Sequence, residues 1–214
     1  MELYSYFRSS ASYRVRIALN LKGLPYEYVP VHLLREGGEQ LKPAYRRLNP
    51  DGVVPTLVDE GQPIQQSLAI IEYLEETHPE PALLPATPAD RAHVRALALQ
   101  VACEIHPLNN LRVLKYLKHS LGTDDAMKDA WYRHWVESGF ASLEQQLAND
   151  RRTGKLCFGD TPTLADLCLV PQVFNANRFA IDTTRYPTIQ RIHDYATQLE
   201  AFAKAAPGAQ PDAE

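Results

Sequence analysis

The chain has few cysteines, no long apolar run and no large surplus of either charge, and each shortage removes a class of protein. Its three cysteines, Cys103, Cys157 and Cys168, form no C-x-x-C pair and leave an odd count. That argues against a disulfide framework and fits a reducing cytoplasm. No apolar stretch approaches the ~20 residues that span a bilayer, and the opening MELYSYFRSS lacks a basic segment followed by an apolar one. Neither membrane insertion nor secretion is expected. The net charge is only -4, with Lys and Arg scattered rather than gathered into a stripe, so nucleic acid is not an expected partner. The seven histidines show no paired ligand spacing, which leaves a metal site without support.

What remains is an ordinary globular composition: 214 residues, 45% hydrophobic and 22% charged, enough for one large domain or two small ones. The first eighty residues alternate strand-like and helix-like runs. Leu3 to Tyr6 reads as a strand, Tyr13, Ile17 and Leu21 mark a helical stripe, and Tyr26 to Val31 reads as a second strand. A weaker helix is expected over Gln40 to Arg47. Val53 to Val58 and Ile64 to Gln66 then flank the turn-like Asp59 to Gln62 as a hairpin, and Ser67 is placed to cap a helix that Pro79 ends. The order is βαβαββα over residues 1–80.

Pro79, Pro81, Pro85 and Pro88 crowd together and mark residues 81–88 as a linker. Residues 89–214 read as all helical. A helix over 89–121 is expected to bend at Pro107. Asp124 to Leu147 forms a second, with Trp131, Trp135, Leu143 and Leu147 near one face. Thr163 and Asp166 start a third through a capping box, and Pro187 to Phe202 forms a last one. The tail from Pro207 is expected to fray.

Three segments could carry chemistry. Arg8, Ser9 and Ser10 sit where the first strand meets the first helix. Hydroxyls and free N–H groups there suit an anion or a thiolate, although from this segment alone a simple helix cap is the better reading of the serines. The chain's own cysteines lie elsewhere, so a thiolate acting here must arrive with a ligand. Val54 and Pro55 precede the hairpin, where the proline marks either an edge position or a cis bond that turns backbone groups toward a peptide-like ligand. Gln66 and Ser67 follow it, at a second helix N-terminus suited to a carboxylate or to an ordinary cap. In the helical half, His106 and Asn110 stand one turn apart and share a face of an ideal helix. Arg112 lies on another face unless the helix distorts near Pro107, and Arg178 comes much later.

The stretches YSYFRSSASYRVRIALNLKG, QSLAIIEYLEE and TLADLCLVPQVFNANRF resemble the zeta-class glutathione transferases, over nearly the whole chain. Ala11 stands where that family commonly has cysteine, leaving the serine hydroxyl beside it. The resemblance implies a two-domain glutathione transferase fold, with a thioredoxin-like N-terminal domain and an all-helical C-terminal domain, in a cytoplasmic homodimer. It implies glutathione as cofactor and cis–trans isomerisation of maleylacetoacetate or maleylpyruvate. A conjugating transferase or dehalogenase acting on small α-halo acids, or a non-catalytic interaction module, would use the same fold. It further implies Ser9 beside the glutathione sulfur, with Arg8 and Ser10 at the same catalytic loop. Val54 before a cis Pro55 would pair with the cysteinyl backbone, and Gln66 and Ser67 would hold the γ-glutamyl end. Gln40, His106 and Asn110 would hold the rest of the tripeptide, the latter two from the same or from the partner subunit, while Arg8, Arg112 and Arg178 become candidates for the substrate's carboxylates.

Overall fold

A computed structural model describes all 214 residues, which divide into two compact units. The first comprises Met1–Leu83 together with Gln198–Glu214, and the second comprises Leu84–Thr197. Residues 198–214, grouped with the helical half by composition, therefore belong with the sheet.

In the first unit the elements run β1 (Glu2–Ser5), α1 (Ser10–Leu21), β2 (Glu27–Pro30), α2 (Pro43–Arg46), β3 (Thr56–Asp59), β4 (Gln62–Gln65) and α3 (Ser67–Thr77), with α9 (Glu200–Ala205) returning at the end of the chain. The four strands form one sheet in the order β2-β1-β3-β4. β1 and β2 are parallel, a pairing that needs a long crossover, and α1 supplies it. β3 is antiparallel to both β1 and β4. The β3–β4 turn places Glu60 (φ 48°) and Gly61 (φ 78°) both at positive φ, the geometry of a tight hairpin turn that matches the twist of its strands. This is the thioredoxin-like arrangement.

Helix α1 is buried from Tyr13 to Leu19 on every face, not on one stripe. The reason is that α3 and α9 both pack against it. The expected fraying of the tail is also overturned. Gln210 is buried and donates through Nε2 to the carbonyls of Lys204 (2.8 Å) and Ala206 (2.9 Å). Asp212 accepts from the Phe7 backbone N–H (3.1 Å) and the Tyr28 hydroxyl (2.6 Å).

The second unit holds α4 (Pro88–Leu99), α5 (Leu111–His119), α6 (Asp125–Asn149), α7 (Leu164–Arg178) and α8 (Pro187–Thr197). The break in the first long helix begins before Pro107: α4 passes into a π-helical turn over Gln100–Ile105 and then a 3-10 turn over Pro107–Asn109. Gly139 of α6 faces that turn. A Cβ there would stand 2.3 Å from Ile105 Cγ1, so only glycine lets the two segments approach this closely. The core stripe of α6 is Tyr132, Val136, Phe140, Leu143 and Leu147. Trp131 and Trp135 lie one position off it, and Trp131 Nε1 donates to the Leu108 carbonyl at 2.8 Å. The capping box at α7 is present: buried Asp166 accepts from the backbone N–H groups of Thr163 and Cys157, each at 2.8 Å. The helix expected over Pro187–Phe202 is two, because α8 stops at Thr197 and α9 belongs to the first unit.

Candidate active site

The loop between β1 and α1 is held from several sides. Arg16, fully buried, donates to the carbonyls of Phe7 (2.9 Å), Tyr6 (3.4 Å) and Ala205 (2.9 Å) and to Ser5 Oγ (3.1 Å). Asp212 takes the Phe7 N–H. On this fixed turn Ser9 is the N-cap of α1, with extended backbone and its Oγ accepting from the Ser12 N–H at 3.2 Å. A hydroxyl has one proton and two acceptor positions. Since the cap uses an acceptor position and the O–H has no acceptor in the chain, Ser9 can cap the helix and still donate to a ligand. The capping and anion-binding readings are therefore compatible. Ser10 is buried in the first turn, and half-buried Arg8 donates to the Tyr6 hydroxyl at 2.9 Å and lies 4.9 Å from the Phe7 ring centroid.

The Val54–Pro55 bond is cis. The β1–β3 ladder ends at Tyr4 and Thr56, and the Val54 N–H and C=O have no hydrogen-bond partner in the chain. Buried main-chain groups are almost always paired, so this pair fits an extended peptide-like ligand. The preceding carbonyl, of Val53, is held by Tyr45 (2.6 Å) and Asn49 (2.8 Å). Gln40 is buried in a short 3-10 turn with its Oε1 unpartnered and a weak 3.5 Å bond from Nε2 to the Leu33 carbonyl. Gly38 (φ 116°) leaves room for that amide, since a Cβ at this position would meet it at 2.6 Å.

Ser67 is not the cap of α3 but its first residue; the N-cap is Gln66, at φ 67° and ψ 117°. Positive φ is uncommon for a residue with a side chain and concentrates at functional sites. The first-turn N–H groups of α3 have no intrahelical acceptor. Buried Ser67 accepts from Arg14 at 3.2 Å, and its own O–H has no acceptor in the chain. These features fit a small γ-glutamyl peptide: an open strand edge, a helix N-terminus for a carboxylate and a hydroxyl donor for sulfur.

In the second unit, His106 and Asn110 do not share one continuous helix, because the 3-10 turn at Pro107–Asn109 separates them. Asn110 is instead the N-cap of α5, with its Oδ1 accepting from the Arg112 N–H at 3.1 Å. Arg112 is exposed in the first turn of α5. Arg178 is exposed at the end of α7, where its guanidinium donates to Asn175 Oδ1 (3.3 Å) and lies 5.9 Å from the Phe179 ring centroid. Phe179 in turn stacks on Tyr132 at 3.6 Å between centroids.

Two other reactive groups, Tyr13 and Cys157, are withdrawn from chemistry, while Cys103 is exposed. Burial pushes the Tyr13 hydroxyl up to about 12, against the opposing pull of Arg16. Cys157 is fully buried, and desolvation with the neighbouring Asp166 carboxylate raises its thiol well above the ordinary value. No group of three or more His, Cys, Asp or Glu is placed to hold a metal ion.

A thioredoxin-like unit with this open site, in a chain whose remaining unit is helical, defines a glutathione transferase fold. The N-terminal domain of glutathione S-transferases matches residues 3–82. Over the full length, the chain is 54% identical to a probable maleylacetoacetate isomerase of Vibrio cholerae, across 99% of this chain and 97% of that one. The holo structure of a maleyl pyruvate isomerase, described as a bacterial zeta-class glutathione S-transferase, superposes with a TM-score of 0.97 at 52% identity, each chain fully covered. A maleylacetoacetate isomerase from Methylobacterium extorquens, solved with malonate and GSH bound, gives 0.96 at 43% identity, again with full coverage of both. The chain belongs to the zeta-class glutathione transferase family.

Three residues that build the site escaped the sequence reading: Arg14, Arg16 and Asp212. The signal for the two arginines was present. They alternate with Tyr13, Val15 and Ile17 in a helix with no acidic residue, so one helix face cannot expose both arginines while burying all three neighbours. Nothing in the sequence marks Asp212, because its partners lie about two hundred residues away.

Proposed function

We propose that this chain is a glutathione-dependent cis–trans isomerase acting on maleylacetoacetate or maleylpyruvate. The observation that carries the reading is the unpartnered Val54 backbone, in the same unit as a Ser9 hydroxyl free to donate and the α3 N-terminus. Bound glutathione supplies a sulfur nucleophile that adds reversibly to the cis double bond and is not consumed. Ser9 holds that sulfur by a charge-assisted O–H bond, which favours its ionised form. Val54 aligns the cysteinyl backbone, Gln66 and Ser67 take the γ-glutamyl end, and Gln40, His106 and Asn110 hold the rest of the tripeptide. Ser10 and Arg8 complete the catalytic loop.

Arg8, Arg112 and Arg178 are assigned to substrate carboxylates, for which a planar guanidinium supplies paired donors. A homodimer and a cytoplasmic setting belong to the same reading. Three cysteines outside any disulfide agree with the cytoplasmic setting.

The test is conversion of each diketo acid with and without glutathione, followed by product analysis. The fumaryl isomer forming only with glutathione supports the reading. A glutathione conjugate or released halide from an α-halo acid, with no isomerisation, favours the conjugating alternative.

A further inference from the structure

Arg14 is a buried cation without a counter-charge. It is 2% exposed, and its guanidinium makes one hydrogen bond, from an Nη to Ser67 Oγ at 3.2 Å. Nε and the other Nη have no partner, and no carboxylate of the chain pairs with it. Buried charges are normally paired, because removing an ion from water without compensation is strongly unfavourable. The other buried cations of this unit are compensated: Arg16 has no carboxylate partner but spends its donors on three carbonyls and a hydroxyl, and Lys22 pairs with Glu75 at 2.9 Å. Arg14 is the exception, and it points to an anion supplied from outside.

The place of its single bond says where. Ser67 opens α3, an eleven-residue helix whose first-turn N–H groups lack intrahelical acceptors. By occupying an acceptor position of Ser67 Oγ, Arg14 leaves that hydroxyl only its proton to offer outward. A donor that is itself engaged by a cation is also polarised and binds an anion more strongly.

We propose that Arg14 is a positioning residue for the ligand carboxylate at the α3 N-terminus: it fixes Ser67 as a hydrogen-bond donor and supplies the positive charge beneath it. Resting on the proposed glutathione site, the proposal concerns the α-carboxylate of the γ-glutamyl residue. It makes that carboxylate, rather than the peptide backbone or the sulfur, the group whose recognition depends on Arg14.

The experiment measures binding, not turnover. Calorimetric dissociation constants are compared for glutathione and for the analogue whose γ-glutamyl α-carboxyl is a primary amide, using the wild type, Arg14→Met, Arg14→Lys and Ser67→Ala. The wild type should bind glutathione at least tenfold more tightly than the amide. Arg14→Met should lose most of that preference while its affinity for the amide changes less than threefold. Arg14→Lys should keep part of it, since an ammonium restores charge without the fork. Ser67→Ala should also lose preference, and adding Arg14→Met to it should remove less than the product of the two single effects.

A merely structural Arg14 would weaken both ligands equally and leave the ratio intact, and that result overturns the proposal. No preference in the wild type would instead remove the underlying carboxylate site, and the proposal with it. If Arg14→Met does not fold, ¹⁵N-arginine spectra of the wild type decide. The Arg14 Nε–H resonance should move on addition of glutathione and not of the amide, and identical responses to the two overturn the proposal.

Discussion

The backbone N–H of Ser12 donates to Ser9 Oγ at 3.2 Å, so the oxygen that caps helix α1 is also the one assigned to the glutathione sulfur. Ser9→Ala should therefore have two separable effects. Loss of the cap should lower unfolding stability by about 1 kcal/mol, read by denaturant titration. Loss of the O–H should raise the pKa of bound glutathione, read by thiolate absorbance against pH. Ser9→Thr should retain most of both. An unchanged thiolate titration in Ser9→Ala would remove Ser9 from the chemistry.

Lys22 and Glu75 form a buried ion pair at 2.9 Å, in which Lys22 also donates to the carbonyls of His78 (2.7 Å) and Pro81 (3.0 Å). Glu75 accepts in turn from the Leu83 N–H. The pair ties the ends of α1 and α3 to the segment that leaves the first unit. Lys22→Met leaves the Glu75 carboxylate buried without its cation and should destabilise the chain by about 3–5 kcal/mol. Replacing both residues by apolar ones of similar volume should recover much of that loss, and urea unfolding of the single and double variants checks it.

Much of this architecture was legible in the sequence, for local reasons. The βαβ alternation, the Asp59–Gln62 hairpin turn and the Thr163–Asp166 capping box each depend on residues within a few positions of one another. The misreadings are long-range. α1 looked amphipathic because nothing local shows that α9 returns from the far end of the chain to cover it. Pro107 drew attention to the break in the first long helix, whereas the π-helical turn starts at Gln100 and ends at Ile105, where closeness to Gly139 matters. Ser9 and Gln66 were visible as residues, but the unpaired state of Val54 and Arg14 is a property of everything that fails to reach them.

Arg112 and Arg178 are assigned to substrate and not to the tripeptide. Replacing either by alanine removes a charge-assisted contact of roughly 1.5–3 kcal/mol, which should lower kcat/KM by about tenfold or more. Glutathione affinity should stay nearly constant, and lysine should rescue only in part. Near-normal kcat/KM in an alanine variant, or damage mainly to glutathione binding, would show that arginine to be misassigned.

His193 and His93 both have imidazole pKa values held below the ordinary 6.5, chiefly by burial. The unfolded chain then binds protons that the folded chain does not. Their contribution to stability is present above about pH 6.5 and is lost as pH falls from there through the lowered folded values. His193→Gln should flatten the stability profile in that acid window and leave it nearly unchanged at pH 8. Denaturant midpoints measured from pH 8 to pH 5 test this, and an equal slope in wild type and variant would contradict it.

On the proposed function glutathione acts on this chain as a cofactor and not as a reactant. The direct measurement is conversion of maleylacetoacetate, and separately of maleylpyruvate, at glutathione well below the substrate concentration, with free thiol counted before and after. At least one substrate should convert completely to its fumaryl isomer with the thiol count unchanged. Conversion that stops when it equals the glutathione added, with matching loss of thiol, would contradict it.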